Sequence, residues 1–158
     1  MTVQHSTDDD YRWMKLAIDL AHLCPPSKGA YSVGAIIVDE SGNEISRGYS
    51  RETDAHVHAE ESALAKLAPE DPRLPNATIY STLEPCSQRK SRPRTCTQLI
   101  LAAGIRRCVI AWREPSLFVA DCQGTELLQN VGVSVTELPE LASQAKEPNS
   151  HLALDSGP

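Results

Sequence analysis

The sequence predicts an α/β fold, a three-layer αβα arrangement built on a mixed five-stranded sheet. The first observation is a helical pattern at residues 11–24, followed by two strand-like segments, 33–38 and 44–50, around the turn cluster Asp-Glu-Ser-Gly-Asn. The second is that strand-like and helix-like segments alternate from residue 77 onward. Because this alternation implies right-handed crossovers and parallel pairing, the preceding hairpin makes the sheet a mixed one.

An apolar stripe with i, i+3 and i+4 spacing indicates the first helix, and it consists of Trp13, Leu16, Ala17, Leu20, Ala21 and Cys24. Acidic residues 8–10 suit the N-terminal dipole of this helix, and Pro25-Pro26 end it. Residues 57–68 are strong helix formers up to Pro69, which predicts a second helix. The remaining segments are strands at 77–83, 107–112 and 133–138, and helices at 95–103 and 125–130.

The chain has 158 residues, of which 41% are hydrophobic, and this is enough for one domain with one core. We expect residues 1–9 to be a flexible N-terminus and residues 10–139 to form the folded domain. Residues 140–158 are polar and contain Ser and Pro, so we expect a loosely ordered tail.

Charge and cysteine content limit the class of protein. The formal net charge of -6 argues against binding to nucleic acid or to a membrane surface. No apolar run approaches the roughly 20 residues of a membrane span. Five cysteines and a polar, acidic N-terminus do not suggest a secreted disulfide framework, so we expect a cytoplasmic protein.

Four residues form a pattern typical of a catalytic zinc site. His58 and Glu60 lie at the start of the second predicted helix, and Cys86 and Cys96 flank the start of the third. One imidazole and two thiolates leave one tetrahedral position open, as catalytic zinc sites do. A carboxylate beside such a site is suited to carry protons, which is the role we predict for Glu60.

Each half of this pattern is unremarkable alone. A His-Ala-Glu sequence at a helix start usually lies on a solvated face, and two cysteines ten positions apart usually pack in the core. Together, with a strand and a Pro-Cys pair between them, they match the zinc deaminase signature. The sequence therefore predicts a hydrolytic deaminase.

The segments HAEESAL, TLEPCS and RPRTCTQLILAAGIRRCVIA resemble the pyrimidine deaminase domain of the riboflavin pathway, within the cytidine-deaminase-like superfamily. The resemblance runs from about residue 33 through residue 138 and includes the hairpin SVGAIIVDESGNEISRGYS. The long spacing between Cys86 and Cys96 favours this branch, because most relatives have two residues between their cysteines. The resemblance implies a cytidine-deaminase-like fold and a homodimer or higher oligomer.

The resemblance also implies a Zn²⁺ cofactor and a small aminopyrimidine nucleotide, nucleoside or base as the substrate, from which ammonia is released. Glu60 would take a proton from water, deliver it to the ring nitrogen and then protonate the departing amine. The backbone N–H of Ala59 and the carbonyl groups of Leu83 and Glu84 would hold the polar edge of the substrate.

Three departures from the family pattern lie where the family contacts its substrate. Gly29-Ala30-Tyr31 replaces Pro-Asn-Pro, Ser50 replaces a histidine after Gly-Tyr, and Gln88 replaces a histidine after Pro-Cys-Ser. The riboflavin intermediate is thus the default substrate, and a specialised-metabolism or salvage substrate is the alternative. Tyr31 is a candidate for stacking on the substrate ring.

The segment 88–94, QRKSRPR, is the most basic part of an acidic chain. It could bind a substrate phosphate through Lys90 or Arg92, because cationic side chains recognise phosphate oxygens. Alternatively, it could pair with acidic neighbours or a partner subunit.

Two other functions share the zinc pattern. A nucleic-acid-editing deaminase would need an electropositive track, which the net charge of -6 argues against. A non-catalytic zinc module for assembly would not need the proton carrier Glu60.

Overall fold

Five strands form one mixed sheet in the computed structural model, which describes residues 7–87, 89, 92–113 and 123–152. The strands are β1 (Gly34–Val38), β2 (Glu44–Tyr49), β3 (Thr78–Ser81), β4 (Arg107–Ile110) and β5 (Ser134–Glu137). The α-helices are α1 (Asp8–Ala21), α2 (Ala59–Ala65), α3 (Cys96–Ala103), α4 (Gly124–Asn130) and α5 (Ala142–Lys146). Short 3-10 helices span Leu74–Asn76, Pro139–Leu141 and Glu147–Leu152.

The strand order across the sheet is β2-β1-β3-β4-β5. β1 pairs antiparallel with β2 and with β3, whereas β3, β4 and β5 pair in parallel. The sequence-based prediction of a mixed five-stranded sheet is therefore confirmed. The parallel half follows from the helical crossovers, and the antiparallel pairing of β1 with β2 follows from the tight turn after Val38.

Alternating side chains of the strands enter two separate hydrophobic clusters, one on each face of the sheet. Ile36, Tyr80 and Val109 pack on the face covered by α1, whereas Ile37 and Ile79 pack on the opposite face. The second cluster also holds Ile100 of α3, Leu128 of α4 and Cys108 of β4. The three-layer prediction is thus confirmed.

The first helix begins earlier than the expected domain boundary at residue 10. Thr7 caps α1: its hydroxyl accepts a hydrogen bond from the Asp10 N–H at 3.2 Å, and the Asp10 carboxylate accepts one from the Thr7 N–H at 3.0 Å. This capping box fixes the helix start at Asp8. The helix ends at Ala21 with His22 as its C-cap, three residues before the predicted end. Residues 1–6 lie outside the described part of the chain.

Asp10 ties α1 to two strands of the sheet. Its buried carboxylate accepts two hydrogen bonds from Arg107, at 2.9 and 2.7 Å, and one from the Tyr80 hydroxyl at 2.6 Å. Burial alone would raise the pKa of Asp10, but the hydrogen bonds from Arg107, Tyr80 and the Thr7 N–H together hold the pKa below its usual value of 3.8. Asp10 is therefore an anion at neutral pH.

The segment after β5 corrects the expectation of a loosely ordered tail from residue 140. It is helical through Leu152, and Leu141, Ala145 and Leu152 pack into the cluster on the α1 face. Asn149 is buried, where its side-chain oxygen accepts from the Ser32 N–H at 2.6 Å and its amide donates to the Ser32 carbonyl at 3.0 Å. The polar composition concealed an apolar spacing of i, i+4 and i+11 that marks one buried helical face.

Every helix among the described residues is too short or too polar to cross a bilayer.

Candidate metal centre

The three predicted zinc ligands meet where two helices begin. His58 is the N-cap of α2, Cys96 is the first residue of α3, and Cys86 lies in the segment between β3 and α3. The His58 Nδ1 atom lies 3.3 Å from the Cys96 Sγ atom and 3.7 Å from the Cys86 Sγ atom. The three possible ligand atoms all lie within 4.8 Å of one another.

These separations fit a tetrahedral zinc ion. Bond lengths of about 2.0–2.1 Å to nitrogen and about 2.3 Å to sulfur place an imidazole nitrogen about 3.6 Å from each sulfur in that geometry. The observed distances of 3.3 and 3.7 Å bracket this value. The donor set is also the one that zinc prefers, so the residues fit the implied ion.

The two cysteine side chains influence each other's pKa. A hydrogen bond from Cys96 lowers the pKa of Cys86, although burial opposes it, and His58 lowers it further. The same pairing and complete burial raise the pKa of Cys96. The Cys96 backbone N–H, at the start of α3, also donates to the Cys86 Sγ atom at 3.2 Å. Because a cysteine binds a metal ion as the thiolate, binding of a divalent cation here would release protons and would depend on pH.

Glu60 is buried beside the predicted metal ligands. It is the second residue of α2, only 4% of it is exposed, and burial raises the pKa of its carboxyl group. The Ser81 hydroxyl, at the end of β3, donates to the Glu60 Oε2 atom at 3.1 Å and also lies 2.8 Å from the Leu83 carbonyl oxygen. Sequence reasoning missed Ser81, because a serine at a strand end carries no motif.

Gly48 explains how α2 lies directly against β2. A Cβ atom at this position would lie 2.6 Å from the Ala59 carbonyl oxygen and 2.6 Å from the Ala63 nitrogen. Only glycine allows so close an approach of strand and helix backbone. Gly48 thereby determines the distance between the sheet and the start of α2, where His58 and Glu60 lie.

Three predicted substrate contacts lie next to the predicted metal ligands in the sequence. Ala59 is buried between His58 and Glu60, whereas Leu83 and Glu84 are buried in the segment that leads to Cys86. The Glu84 carboxylate accepts from the Thr125 N–H at 2.9 Å, and the Glu84 N–H donates to the Trp112 carbonyl at 3.0 Å. These contacts hold the backbone after β3, and the substrate roles of the three residues stay predictions.

Tyr31 and Ser50 have structural contacts in the described residues. The buried Tyr31 ring meets Trp112 edge-on, with centroids 6.0 Å apart and an interplanar angle of 88°. The Ser50 hydroxyl accepts from the Val33 N–H at 3.0 Å and so joins the ends of β1 and β2. Contacts of Tyr31 and Ser50 with substrate stay predictions.

Two arginines of the basic segment, Arg89 and Arg92, pair with acidic neighbours. Arg92 contacts the Asp54 carboxylate at 2.5 Å and Glu61 at 3.4 Å, and Arg89 contacts Glu61 at 2.8 Å. These ion pairs are the kind that the second predicted alternative expects, and a phosphate-binding role of Lys90 or Arg92 stays a prediction. The predicted contacts Gln88 and Lys90 lie outside the described residues.

Residues 7–112 match the family model described as the cytidine and deoxycytidylate deaminase zinc-binding region. The chain therefore belongs to this family. Among curated proteins, the diaminohydroxyphosphoribosylamino-pyrimidine deaminase of Schizosaccharomyces pombe is 41% identical over 127 residues, which are 79% of this chain and 31% of that protein. The tRNA-specific adenosine deaminase of Haemophilus influenzae is 35% identical over 105 residues, which are 63% of this chain and 56% of that protein.

Solved structures agree with this assignment. RibD of Acinetobacter baumannii is 30% identical, with a TM-score of 0.75 over 90% of this chain and 38% of that chain. The Aspergillus oryzae Rib2 deaminase, a C-terminal deletion mutant, has the same fold, with a TM-score of 0.81, 23% identity and coverage of 94% of this chain and 95% of that one. The predicted cytidine-deaminase-like fold and the resemblance to riboflavin-pathway deaminases are confirmed. The chain spans about a third of the length of the first curated relative, 31%.

Cys96→Ser should weaken zinc binding, because a hydroxyl is a poor replacement for a thiolate in a zinc site. We expect a larger effect than the about 10- to 100-fold loss that follows removal of a residue behind the ligands. Metal analysis after dialysis against a chelator measures it. Cys24→Ser is the matched control, because this half-buried thiol lies outside the cluster. An unchanged zinc content in Cys96→Ser would remove Cys96 from the ligand set.

Proposed function

We propose that this chain is a zinc-dependent hydrolytic deaminase of a small aminopyrimidine, with the diaminopyrimidine intermediate of the riboflavin pathway as the default substrate. The observation that carries the proposal is the convergence of His58, Cys86 and Cys96 beside the buried carboxylate of Glu60. Similarity to the S. pombe deaminase supports the substrate class. The alternative small-molecule substrate is one from specialised metabolism or salvage, because Ala30, Ser50 and Gln88 depart from the family pattern.

The reaction replaces an amine on the ring with a carbonyl oxygen: water adds at the amine-bearing carbon, and ammonia leaves. When bound, zinc supplies Lewis-acid activation of a water molecule. Glu60 accepts one proton from water and transfers it to the ring nitrogen. It then takes the second proton from the added hydroxyl group and delivers it to the amine, so that the carbonyl forms as ammonia leaves. Burial raises the pKa of Glu60, so its carboxyl group takes up a proton more readily than an exposed glutamate does. The Ser81 hydroxyl orients the carboxylate.

The ion pairs of the basic segment with Glu61 and Asp54 argue against a nucleic-acid substrate. The similarity to a tRNA-specific adenosine deaminase favours one. However, the charges of Arg89 and Arg92 are compensated by Glu61 and Asp54. The chain also carries a net charge of -6, which repels the phosphates of a nucleic acid. A zinc module for assembly would not need a buried carboxylate such as Glu60.

An ammonia-release screen tests the proposal on zinc-loaded protein. The panel comprises cytosine, cytidine, deoxycytidine monophosphate, guanine and the diaminopyrimidine riboflavin intermediate. We expect release from the riboflavin intermediate. Zinc-loaded protein that releases ammonia from none of them would contradict a small-aminopyrimidine deaminase. A gel shift with tRNA at moderate salt covers the nucleic-acid alternative, for which we expect no binding.

We also propose that the chain acts as a homodimer or higher oligomer in the cytoplasm. The oligomer rests on the resemblance to deaminases of this fold, and size-exclusion chromatography with light scattering measures it. The four described cysteines are free thiols, which suits a reducing compartment.

A further inference from the structure

The segment that separates the two cysteine ligands is long. Residues 87–95 lie between Cys86 and Cys96, whereas the usual deaminase signature has two residues there. A longer loop has more conformations, so closing it into one ligand geometry costs more entropy. We therefore expect side-chain contacts that hold this segment close to His58.

Arg89 lies in this segment, three residues after Cys86, and only 3% of its side chain is exposed. Its Nη2 atom donates to the Glu61 Oε1 atom at 2.8 Å and to the His56 carbonyl at 2.6 Å. Both partners belong to the stretch around the ligand His58. Arginine side chains are rarely buried unless they are paired, so burial together with these two hydrogen bonds holds the Arg89 guanidinium in one position.

Glu61 connects Arg89 to the histidine ligand. The Oε1 atom that accepts from Arg89 also accepts from the His58 backbone N–H at 3.2 Å. Its Oε2 atom lies 3.4 Å from the Arg92 Nε atom. Burial opposes the anion, but the hydrogen bonds from Arg89 and the His58 N–H hold the pKa of Glu61 below its usual range.

Arg92 makes a second connection between the same two stretches. Its guanidinium contacts the Asp54 carboxylate at 2.5 Å, and Asp54 also accepts from the His56 N–H at 2.8 Å. Two arginines of the segment between the cysteines thus bind to the stretch that precedes His58.

We propose that Arg89 is a positioning residue for the metal centre, which holds the Cys86 segment against the His58 helix through Glu61. This assigns Arg89 to the geometry of the ligands rather than to substrate phosphate. Residues that support ligands in this way typically change metal affinity by about 10- to 100-fold when removed. The inference rests on the zinc site of the proposed function but not on the identity of its substrate.

The test is zinc affinity, measured by competition with a chromophoric chelator on the full chain. We expect Arg89→Gln to raise the zinc Kd by about 10- to 100-fold and to change the visible spectrum of the Co²⁺-substituted site. Arg89→Lys keeps the charge and one contact, and should restore part of the affinity. Arg106→Gln, at an exposed arginine, should match the wild type. Far-UV circular dichroism of each apoprotein separates loss of affinity from loss of folding.

Glu61→Gln keeps the variant set informative if Arg89→Gln does not fold. Glutamine can still accept from the His58 N–H, as in a capping box, but loses the charge that pairs with Arg89. It should weaken zinc binding in the same direction, and the double variant should lose less than the sum of the two. A zinc Kd within about twofold of wild type in a folded Arg89→Gln protein would overturn the inference.

Failure of the inference and failure of the proposed function give different results. If wild-type chain deaminates a substrate while Arg89→Gln binds zinc normally, only the role of Arg89 is wrong. If Arg89→Gln loses zinc affinity but no aminopyrimidine is deaminated, only the proposed function is wrong. Wild-type chain that binds no zinc would contradict both.

Discussion

Glu60→Gln is expected to abolish ammonia release while the protein keeps about one zinc ion per chain. Glutamine has nearly the same shape and can still accept from the Ser81 hydroxyl, but it cannot carry a proton at neutral pH. Loss of a general acid–base group typically costs about 10²- to 10⁴-fold in rate. Because Glu60 serves both transfers to the substrate, we expect the upper end of that range. Ammonia assay and metal analysis on the same sample measure the two effects.

Glu70→Gln is the control for this experiment, because Glu70 is exposed and lies between α2 and β3. It should leave both the rate and the zinc content unchanged. A Glu60→Gln protein that loses its zinc would make Glu60 a ligand. One that releases ammonia at the wild-type rate would remove the proton-carrying role.

Asp10→Asn should reduce the free energy of unfolding by about 3–5 kcal/mol, the usual effect of removing one partner of a buried ion pair. The Asp10 side chain is 2% exposed and Arg107 is 21% exposed, so the guanidinium would lose its anion where water replaces it poorly. The Tyr80 hydroxyl would keep only a neutral acceptor. Urea unfolding at pH 7 measures the loss. Asp9→Asn, in the same helical turn but with a side chain 76% exposed, should change stability little.

The stability difference between wild type and Asp10→Asn should depend on pH. The folded pKa of Asp10 lies below its usual value of 3.8, so the carboxylate contributes stability that is fully present above about pH 5. That contribution is lost as the pH falls through the folded pKa, and the two proteins should converge. A difference that stays constant from pH 7 to about pH 3 would show that the ion pair is not its source.

The sequence was sufficient to predict that His58, Cys86 and Cys96 come together, because helix starts and strand ends place them at one edge of the sheet. It was not sufficient for the groups that support them. Ser81 is 21 residues from Glu60, and Arg89 is 28 residues from Glu61, so neither pairing leaves a local pattern. Such contacts depend on how far each helix lies above the sheet, which only packing determines.

The two misjudged boundaries have different physical causes. The capping box of Thr7 and Asp10 is a local signal that the run of acidic residues obscured. The helical segment after β5 depends instead on tertiary contacts, since Asn149 would be an ordinary polar residue without Ser32 beside it. Polar composition alone does not distinguish a solvated tail from a packed segment. In the packed segment, a polar side chain such as Asn149 forms hydrogen bonds with buried backbone groups.

The pairing of Asn149 with Ser32 also determines where this domain could be cut from a longer polypeptide. A fragment that ends at residue 139 would leave the N–H and the carbonyl of Ser32 without these hydrogen-bond partners, 117 positions away in the chain. Each unsatisfied buried group costs about 1–3 kcal/mol. The minimal autonomous unit therefore includes the helical segment through Leu152, although no predicted catalytic residue lies within it.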